Sequence, residues 1–347
     1  MIPLYLAQFG MIFAVFGLLL LSAAVMVYSE RKVAAFIQQR YGPYLVGPKG
    51  MLQPIADVVK LIFKEPLRPL SADRVLFFLA PLISATAAFA AFAVVPFGAE
   101  TTLFGLLAEP ISLQVADVNV AVLVIFAITS VSVYGIVLAG WSSNSKYSLF
   151  GALRSASQMI SYELSYGMSL VSVLLLAGSL SVTDIVNAQA GMWFGVIPKW
   201  FVFLQPVGFV IFIIAGVAET NRAPFDLPEA ESELVAGYHT EYSGMKFAFF
   251  YIAEYAHMVL VSSLVVILFF GGWLPPFPNV KALAFLGRVP GFLWYLAKIM
   301  FFLYLYIWIR GTLPRYRFDA LIRLVWKWLI PLAVLNFVIV ALGWYLL

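Results

Sequence analysis

The sequence predicts an all-α integral membrane protein, with about eight transmembrane helices and one amphipathic helix at the membrane surface. Of the 347 residues, 63% are hydrophobic and 11% are charged, whereas soluble domains average about 45–50% and about 25%. The mean hydropathy is +0.97, and apolar runs long enough to cross a bilayer recur along the chain. This composition excludes an ordinary soluble enzyme, a disordered chain and a nucleic-acid-binding protein.

Eight apolar runs are the candidates for these helices, because each is close to the ~20 residues that cross ~30 Å of hydrocarbon. They lie at residues 4–28, 75–97, 118–140, 158–178, 200–219, 248–271, 292–312 and 328–346. The first run lacks a basic leader and a small-residue cleavage site, so we expect a retained span rather than a signal peptide. No loop is long enough to suggest a second domain, so residues 1–347 are predicted to form a single polytopic membrane domain.

The placement of Lys and Arg gives the expected orientation. We number the connections between the eight predicted spans one to seven along the chain. The odd-numbered loops, together with the adjoining span ends, hold every Lys and Arg except Lys199, Lys281, Arg288 and Lys298. The positive-inside rule therefore places the odd-numbered loops in the cytoplasm or matrix and both termini on the outer side. Lys298 lies inside a span near its outer end, and we expect its amine to extend toward that interface.

The first inside loop, residues 29–74, is the longest connection. Within residues 50–65, apolar side chains recur at helical spacing opposite Asp57, Lys60 and Lys64. This pattern is typical of a helix that lies in the plane of the membrane interface. A surface helix that only closes the helix bundle is an equally good interpretation of the pattern.

The fifth loop, residues 219–247, breaks the basic trend of the inside loops. Its acidic residues outnumber Arg222 and Lys246, and they are Glu219, Asp226, Glu229, Glu231, Glu233 and Glu241. The three carboxylates at positions 229, 231 and 233 cannot all ionise without cost, so their titrations should be coupled. A solvated acidic loop is the alternative interpretation.

Carboxylates are also predicted inside the membrane. Glu163 and Glu254 lie one and a half to two turns into the fourth and sixth predicted spans, and Glu219 closes the fifth. An ionisable group is costly at such a position and is usually functional. Carboxylates in series at similar depth favour a proton relay. The alternative is structural pairing with one of the nearby cations Arg154, Arg222 and Lys246.

The residue types present limit the chemistry of the chain. Cysteine is absent and there are two histidines, which excludes disulfides, thiolate-bound zinc and iron–sulfur clusters. We find no phosphate-binding loop, nucleophile elbow or metal-ligand cluster, so no metal site and no catalytic centre are expected within this chain. His257 shares a helix face with Glu254, but a lone histidine in a span is more often a packing residue.

Three segments resemble a known family. The first consists of Glu30-Arg31-Lys32, Gln38–Pro43 and Gly47–Pro66. The second extends from Gly140–Tyr147 to Ser161-Tyr162-Glu163, and the third is Ala218–Leu234. Together with Trp308-Ile309-Arg310 and Pro314–Arg317 they resemble the H subunit of NADH:quinone oxidoreductase, respiratory complex I. The resemblance covers essentially the whole chain.

The resemblance implies a non-redox membrane subunit of a proton-pumping enzyme, one that forms much of the quinone-access tunnel. On that basis Arg31, Arg40 and Asp57 would belong to the tunnel and its entrance. The residues that would couple quinone reduction to proton movement are Glu163, Glu219, Glu229, Glu231, Glu233, Glu241 and Glu254. Arg222 and Asp226 match the same loop, where they would have a pairing role.

The resemblance also implies a substrate and partners. Quinone, either ubiquinone or menaquinone, would be the substrate, and FMN and iron–sulfur clusters would be held by partner subunits. Peripheral quinone-site subunits would dock on the inside loops 29–74 and 220–247, with neighbouring membrane-arm subunits and lipids as further partners and no nucleic acid. The location would be a bacterial inner membrane or, alternatively, a mitochondrial one. An equivalent subunit of a membrane-bound hydrogenase remains open. So does a stand-alone proton-coupled transporter, although we see no internal repeat of the kind common in transporters.

Overall fold

The computed structural model describes residues 4–100, 111–193, 197–227, 234–276 and 289–346. These residues are almost entirely helical, and one short antiparallel pair joins β1 (Met192–Trp193) to β2 (Ile197–Pro198). The predicted all-α membrane fold is confirmed.

In the described part of the chain, seven helices are long and apolar enough to cross a membrane. They are α1 (Leu4–Ile37), α3 (Arg74–Ala90), α4 (Ala121–Ser142), α5 (Lys146–Ala177), α9 (Met245–Phe269), α10 (Gly291–Thr312) and the continuous pair α11 (Phe318–Leu324) and α12 (Ile330–Leu346). A π-helical turn, Val325–Leu329, joins the last two. The shorter helices are α2 (Gln53–Phe63), α6 (Val182–Ala188), α7 (Phe201–Leu204) and the apolar α8 (Pro206–Glu219).

Four helix boundaries differ from the predicted spans, and one of them is the start of the last span, which lies at Phe318 rather than at residue 328. Helix α1 continues past residue 28, so Arg31 lies in a helix rather than in a loop. Helix α5 begins at Lys146, so Glu163 is near its middle and not close to its start. The run at 200–219 is broken at Gln205, which leaves α8 with 14 residues.

The early start of α5 has a physical reason. Its first half is poor in large apolar residues, so hydropathy does not mark it as a span. Small and polar side chains such as Ser148, Ser155 and Gln158 are nevertheless fully buried there, because α5 packs between α4 and α8. Small residues allow helices to approach closely inside a membrane bundle.

Helix α9 is the central helix of the bundle. In its most apolar 18-residue window 89% of the residues are buried, against 22–50% in the other long helices. It contacts α1, α3, α8 and α10. Helices α3 and α4 lie so close that a Cβ on Gly135 would be 2.9 Å from the Ala80 carbonyl oxygen. The residues that α9 carries are therefore surrounded by several other helices.

Helix α2 is amphipathic, as predicted. Its apolar side chains Ile55, Val59 and Ile62 are between 46% and 59% exposed, although the helix is too short to span a bilayer. A short helix with an uncovered apolar face suits the membrane interface.

Lys298 does not extend outward, and that prediction is wrong. Its Nζ donates to the carbonyl oxygens of Phe270, Gly272 and Leu274 at 2.8, 2.9 and 2.7 Å. It also lies 4.6 Å from the centroid of the Trp200 ring. The last carbonyls of a helix lack intrahelical partners and attract cations, so Lys298 caps the C-terminal end of α9.

Candidate functional site

Arg222 lies at the centre of a buried ionic network. It follows the end of α8, is 7% exposed, and its Nη1 pairs with Glu30 Oε1 of α1 at 3.0 Å. Its Nε pairs with Glu254 Oε1 of α9. The guanidinium lies 4.6 Å from the ring centroid of Tyr255, and the Tyr255 hydroxyl donates to Glu30 Oε2 at 2.6 Å. One cation therefore joins three helices.

A cavity of about 420 Å³ opens beside this network. The charged residues lining it are Glu30, Arg31, Arg40, Arg222 and Arg310. Arg310 of α10 also pairs with Glu30, so this carboxylate is neutralised by two arginines. The volume is within the ~300–1,000 Å³ of small-molecule sites, and the lining can hold a polar headgroup. We call it the arginine cavity.

The structure brings the predicted tunnel residues to this region. Arg31 lines the arginine cavity and its Nη1 pairs with Asp57 Oδ2 of α2 at 2.5 Å, which ties the interfacial helix to α1. Arg40 lines the same cavity and its Nε donates to Gln38 Oε1 at 2.6 Å. Asp57 does not line the cavity but lies at its margin through Arg31.

A second, smaller cavity of about 40 Å³ lies among α3, α4, α5, α8 and α9, and we call it the carboxylate cavity. Glu219, Glu254 and His257 are among the residues lining it. Glu219 Oε2, His257 Nε2 and Ser84 Oγ are buried and have no hydrogen-bond partner within the described ranges. Since a cavity needs about 10–15 Å³ to hold one water, the carboxylate cavity has room for about three or four.

The other predicted carboxylates have different surroundings. Glu163 accepts a hydrogen bond from the Ser130 hydroxyl of α4, and it is close enough to Glu219 for their charges to interact. Glu241 follows the turn Gly237–His239, is half-buried and lines neither cavity. Glu229, Glu231 and Glu233 lie outside the described residues. Within the described part of the chain no group of side chains could hold a metal ion.

The first part of the acidic loop, up to residue 226, is fixed by hydrogen bonds and an ion pair to other parts of the chain. Gln158 Nε2 of α5 donates to the carbonyl oxygens of Ala218 and Phe225, both at 2.9 Å. Asp226 Oδ2 pairs with Arg315 Nη2, beyond α10, at 3.1 Å. Arg222 and Asp226 thus each pair with residues outside the loop, which fixes the position of Arg222.

Sequence reasoning alone does not identify every member of the network. It does not single out Glu30, Tyr255 or Arg310 as site residues, yet all three contact the Arg222 network. A usable signal exists for two of them. Glu30 and Arg310 are a carboxylate and an arginine near the ends of apolar runs that the positive-inside rule places on one side of the membrane.

Comparison with known proteins places the chain among close relatives. A family model described as NADH dehydrogenase matches residues 10–341. The chain is 49% identical over 346 residues to an NADH-quinone oxidoreductase H subunit, numbered 1, of Geobacter metallireducens, covering 100% of this chain and 97% of that protein. It is 50% identical over 350 residues to NADH-quinone oxidoreductase subunit 8 of Rhodothermus marinus (99% and 98%). It is 51% identical over 324 residues to the NADH-quinone oxidoreductase H subunit of Rickettsia bellii (93% and 89%).

Proposed function

Because the chain belongs to the H-subunit family of NADH-quinone oxidoreductase, we propose that it guides quinone and couples its reduction to proton translocation. A member of this family is a membrane component of respiratory complex I and works with the other subunits of that oxidoreductase. Full-length relatives bearing this name favour the quinone enzyme over a hydrogenase component or a stand-alone transporter.

The observation that carries the proposal is the position of Arg222. This side chain lines the arginine cavity and also pairs with Glu254, which lines the carboxylate cavity. The two cavities are therefore connected by one ion pair. A change of charge in the first cavity acts on the second through Arg222, without any redox group in this chain.

The mechanism follows from this connection. Quinone enters beside α1 and α2, and its headgroup lies in the arginine cavity on its way to the peripheral subunits. Negative charge that develops on the quinone attracts Arg222 and so weakens the ion pair by which Arg222 neutralises Glu254. Glu254 then accepts a proton through the water-sized carboxylate cavity, in which Glu219 is the next carboxylate and Glu163 lies beyond it. The electrons would come from FMN and iron–sulfur clusters held by partner subunits, since no described residues of this chain could hold a metal ion.

Filling the arginine cavity tests the quinone part of the proposal. Ala34 lines this cavity, and Ala34→Trp should raise the KM for quinone by roughly tenfold in the assembled enzyme with little change in kcat, as loss of uniform binding does. The measurement is NADH-driven reduction of ubiquinone and menaquinone analogues in membranes. The matched control is Ala320→Trp on the exposed face of α11. An unchanged KM in Ala34→Trp would place the quinone path elsewhere.

His257 provides a test of the carboxylate cavity. We expect His257→Leu to slow coupled turnover by roughly three- to tenfold, because leucine cannot bind the cavity water and a hydrogen bond contributes about 0.5–1.5 kcal/mol net. His257→Asn should retain activity, since the amide still binds water. The readouts are quinone reduction and proton uptake in inverted membrane vesicles. If the Asn variant is as slow as the Leu variant, the imidazole itself transfers protons; if both are normal, His257 only packs.

The remaining features of the proposal concern location. We propose that the chain is a single polytopic domain of a bacterial inner membrane with both termini outside, and that α7 and α8 together provide the eighth crossing that this orientation requires. The Lys and Arg distribution and bacterial relatives support this location. Loops 29–74 and 220–247 then face the peripheral subunits and provide their docking surface. The exposed apolar face of α2 contacts lipid at the quinone entrance.

A further inference from the structure

A third cavity, which is basic, shares no lining residue with the arginine cavity. It measures about 640 Å³ and is formed where the connection between α2 and α3 passes the first turn of α9. Besides Pro66, its lining combines three cations with three apolar side chains of α3, namely Arg68, Arg74, Lys246, Val75, Phe78 and Leu79. Among the residues that the structure describes, no carboxylate lines it.

Packing fixes the walls of this basic cavity. Gly244, with φ of +61°, lies so close to the end of α2 that an added Cβ would be 3.1 Å from the Lys64 carbonyl oxygen. The Phe77 ring of α3 stacks on Tyr242 with 4.0 Å between centroids. Lys246 Nζ lies 5.0 Å from the centroid of the same Phe77 ring. The start of α9 is therefore packed against α2 and α3, and Lys246 lies over a ring that is itself stacked.

The three cations are not neutralised by any acidic residue that the structure describes. Within the described residues none of them forms an ion pair. Asp73 precedes Arg74, but its Oδ1 accepts the backbone N–H groups of Val75 and Leu76 and so caps α3. Arg68 and Lys246 are close enough for their charges to repel. An anion between them would remove that repulsion.

The apolar half of the lining indicates the kind of anion. Val75, Phe78 and Leu79 have the spacing of one helix face, and they are 64%, 59% and 37% exposed. This face belongs to a helix long enough to span the membrane, directly beyond the cations. A free phosphate would contact only the cations, whereas a phospholipid contacts the cations with its headgroup and the apolar side chains with its acyl chains.

We propose that this cavity binds an anionic phospholipid, with its phosphate among Arg68, Arg74 and Lys246 and its acyl chains along the exposed face of α3. Basic pockets between transmembrane helices on the positive side of a membrane are suited to such headgroups. The lipid would fix the α2–α3 connection against the start of α9.

The test is lipid binding to the assembled enzyme. Complexes with wild-type or Arg68→Gln/Lys246→Gln chains are purified, stripped of lipid and titrated with phosphatidylglycerol or cardiolipin, and the bound lipids are counted by native mass spectrometry. At ~1 kcal/mol per cation, the double variant should bind the lipid at this site roughly thirtyfold more weakly. Phosphatidylcholine should bind poorly in both complexes. Lys327→Gln, which removes an exposed cation near α12, should behave as wild type.

Other outcomes would overturn the assignment. Equal anionic lipid binding by the double variant and the wild type would do so, as would displacement of the lipid by millimolar inorganic phosphate. A photoreactive residue at Phe78 that crosslinks to another protein of the complex instead of lipid would show that protein covers the cavity. If the double variant does not assemble, Arg68→Gln alone decides the question, because Arg68 is exposed in a connection and its loss is expected to weaken binding severalfold.

Discussion

Replacing Arg222 with Met should sharply reduce the amount of assembled complex. The change removes the arginine that pairs with Glu254 and one of the two arginines that pair with Glu30, and the two carboxylate side chains are only 13% and 9% exposed. Removing one partner of a buried ion pair typically costs about 3–5 kcal/mol, because an uncompensated charge stays buried. That cost is a large part of the ~5–15 kcal/mol that stabilises a typical domain. The measurement is assembled complex on a native gel, with quinone reductase activity per assembled complex.

A matched control is available in the same chain. Arg317 and Asp319 also pair, at 3.9 Å, but their side chains are 85% and 71% exposed. Arg317→Met should therefore have little effect, since exposed pairs contribute about 0–1 kcal/mol. Arg222→Lys should lie between the two, because a lysine keeps the charge but cannot contact two carboxylates with a planar guanidinium. Normal assembly and turnover of Arg222→Met would show that Arg222 does not hold this site together.

The sequence predicts the membrane fold well, because a membrane-spanning helix needs a run of about 20 apolar residues and hydropathy detects such runs directly. Helices α4 and α10 coincide closely with their apolar runs, and the amphipathic α2 follows from its residue spacing. Helix α5 is less predictable, since its first half is stabilised by burial of small polar residues against α4 and α8. Hydropathy does not detect such packing.

The candidate site is less predictable than the fold. The acids are recognisable one by one, because carboxylates are rare in apolar runs. Their partners are not, since the Arg222–Glu30 pair joins residues 192 positions apart. The outward extension expected of Lys298 is wrong for a similar reason, because the carbonyls that it contacts lie just beyond the end of α9, 24 to 28 residues away in the chain. Pairings of this kind depend on how the helices pack against one another, and this packing cannot be read from the residue pattern of a single sequence.

Glu219→Gln should separate assembly from coupling. Glu219 is 8% exposed, its Oε2 has no hydrogen-bond partner among the described residues, and it forms no ion pair there. The amide has nearly the same shape, so the complex should assemble normally. Coupled turnover should fall by roughly a hundredfold, at the lower end of what a positioned proton-transferring group contributes. The measurements are the native gel, NADH-driven quinone reduction and proton uptake in inverted vesicles.

Glu254→Gln is the matched comparison, because the two carboxylates line the same cavity but differ in charge compensation. Glu254 is paired with Arg222, so its amide variant should lose some assembled complex as well as turnover. Arg222 retains Glu30 as a partner in that variant, which should make the assembly defect smaller than that of Arg222→Met. Full turnover with full proton uptake in Glu219→Gln would remove Glu219 from the relay. If Glu254→Gln were then also normal, both buried carboxylates would be structural, and coupling would depend on the acidic residues of the loop at 229, 231 and 233.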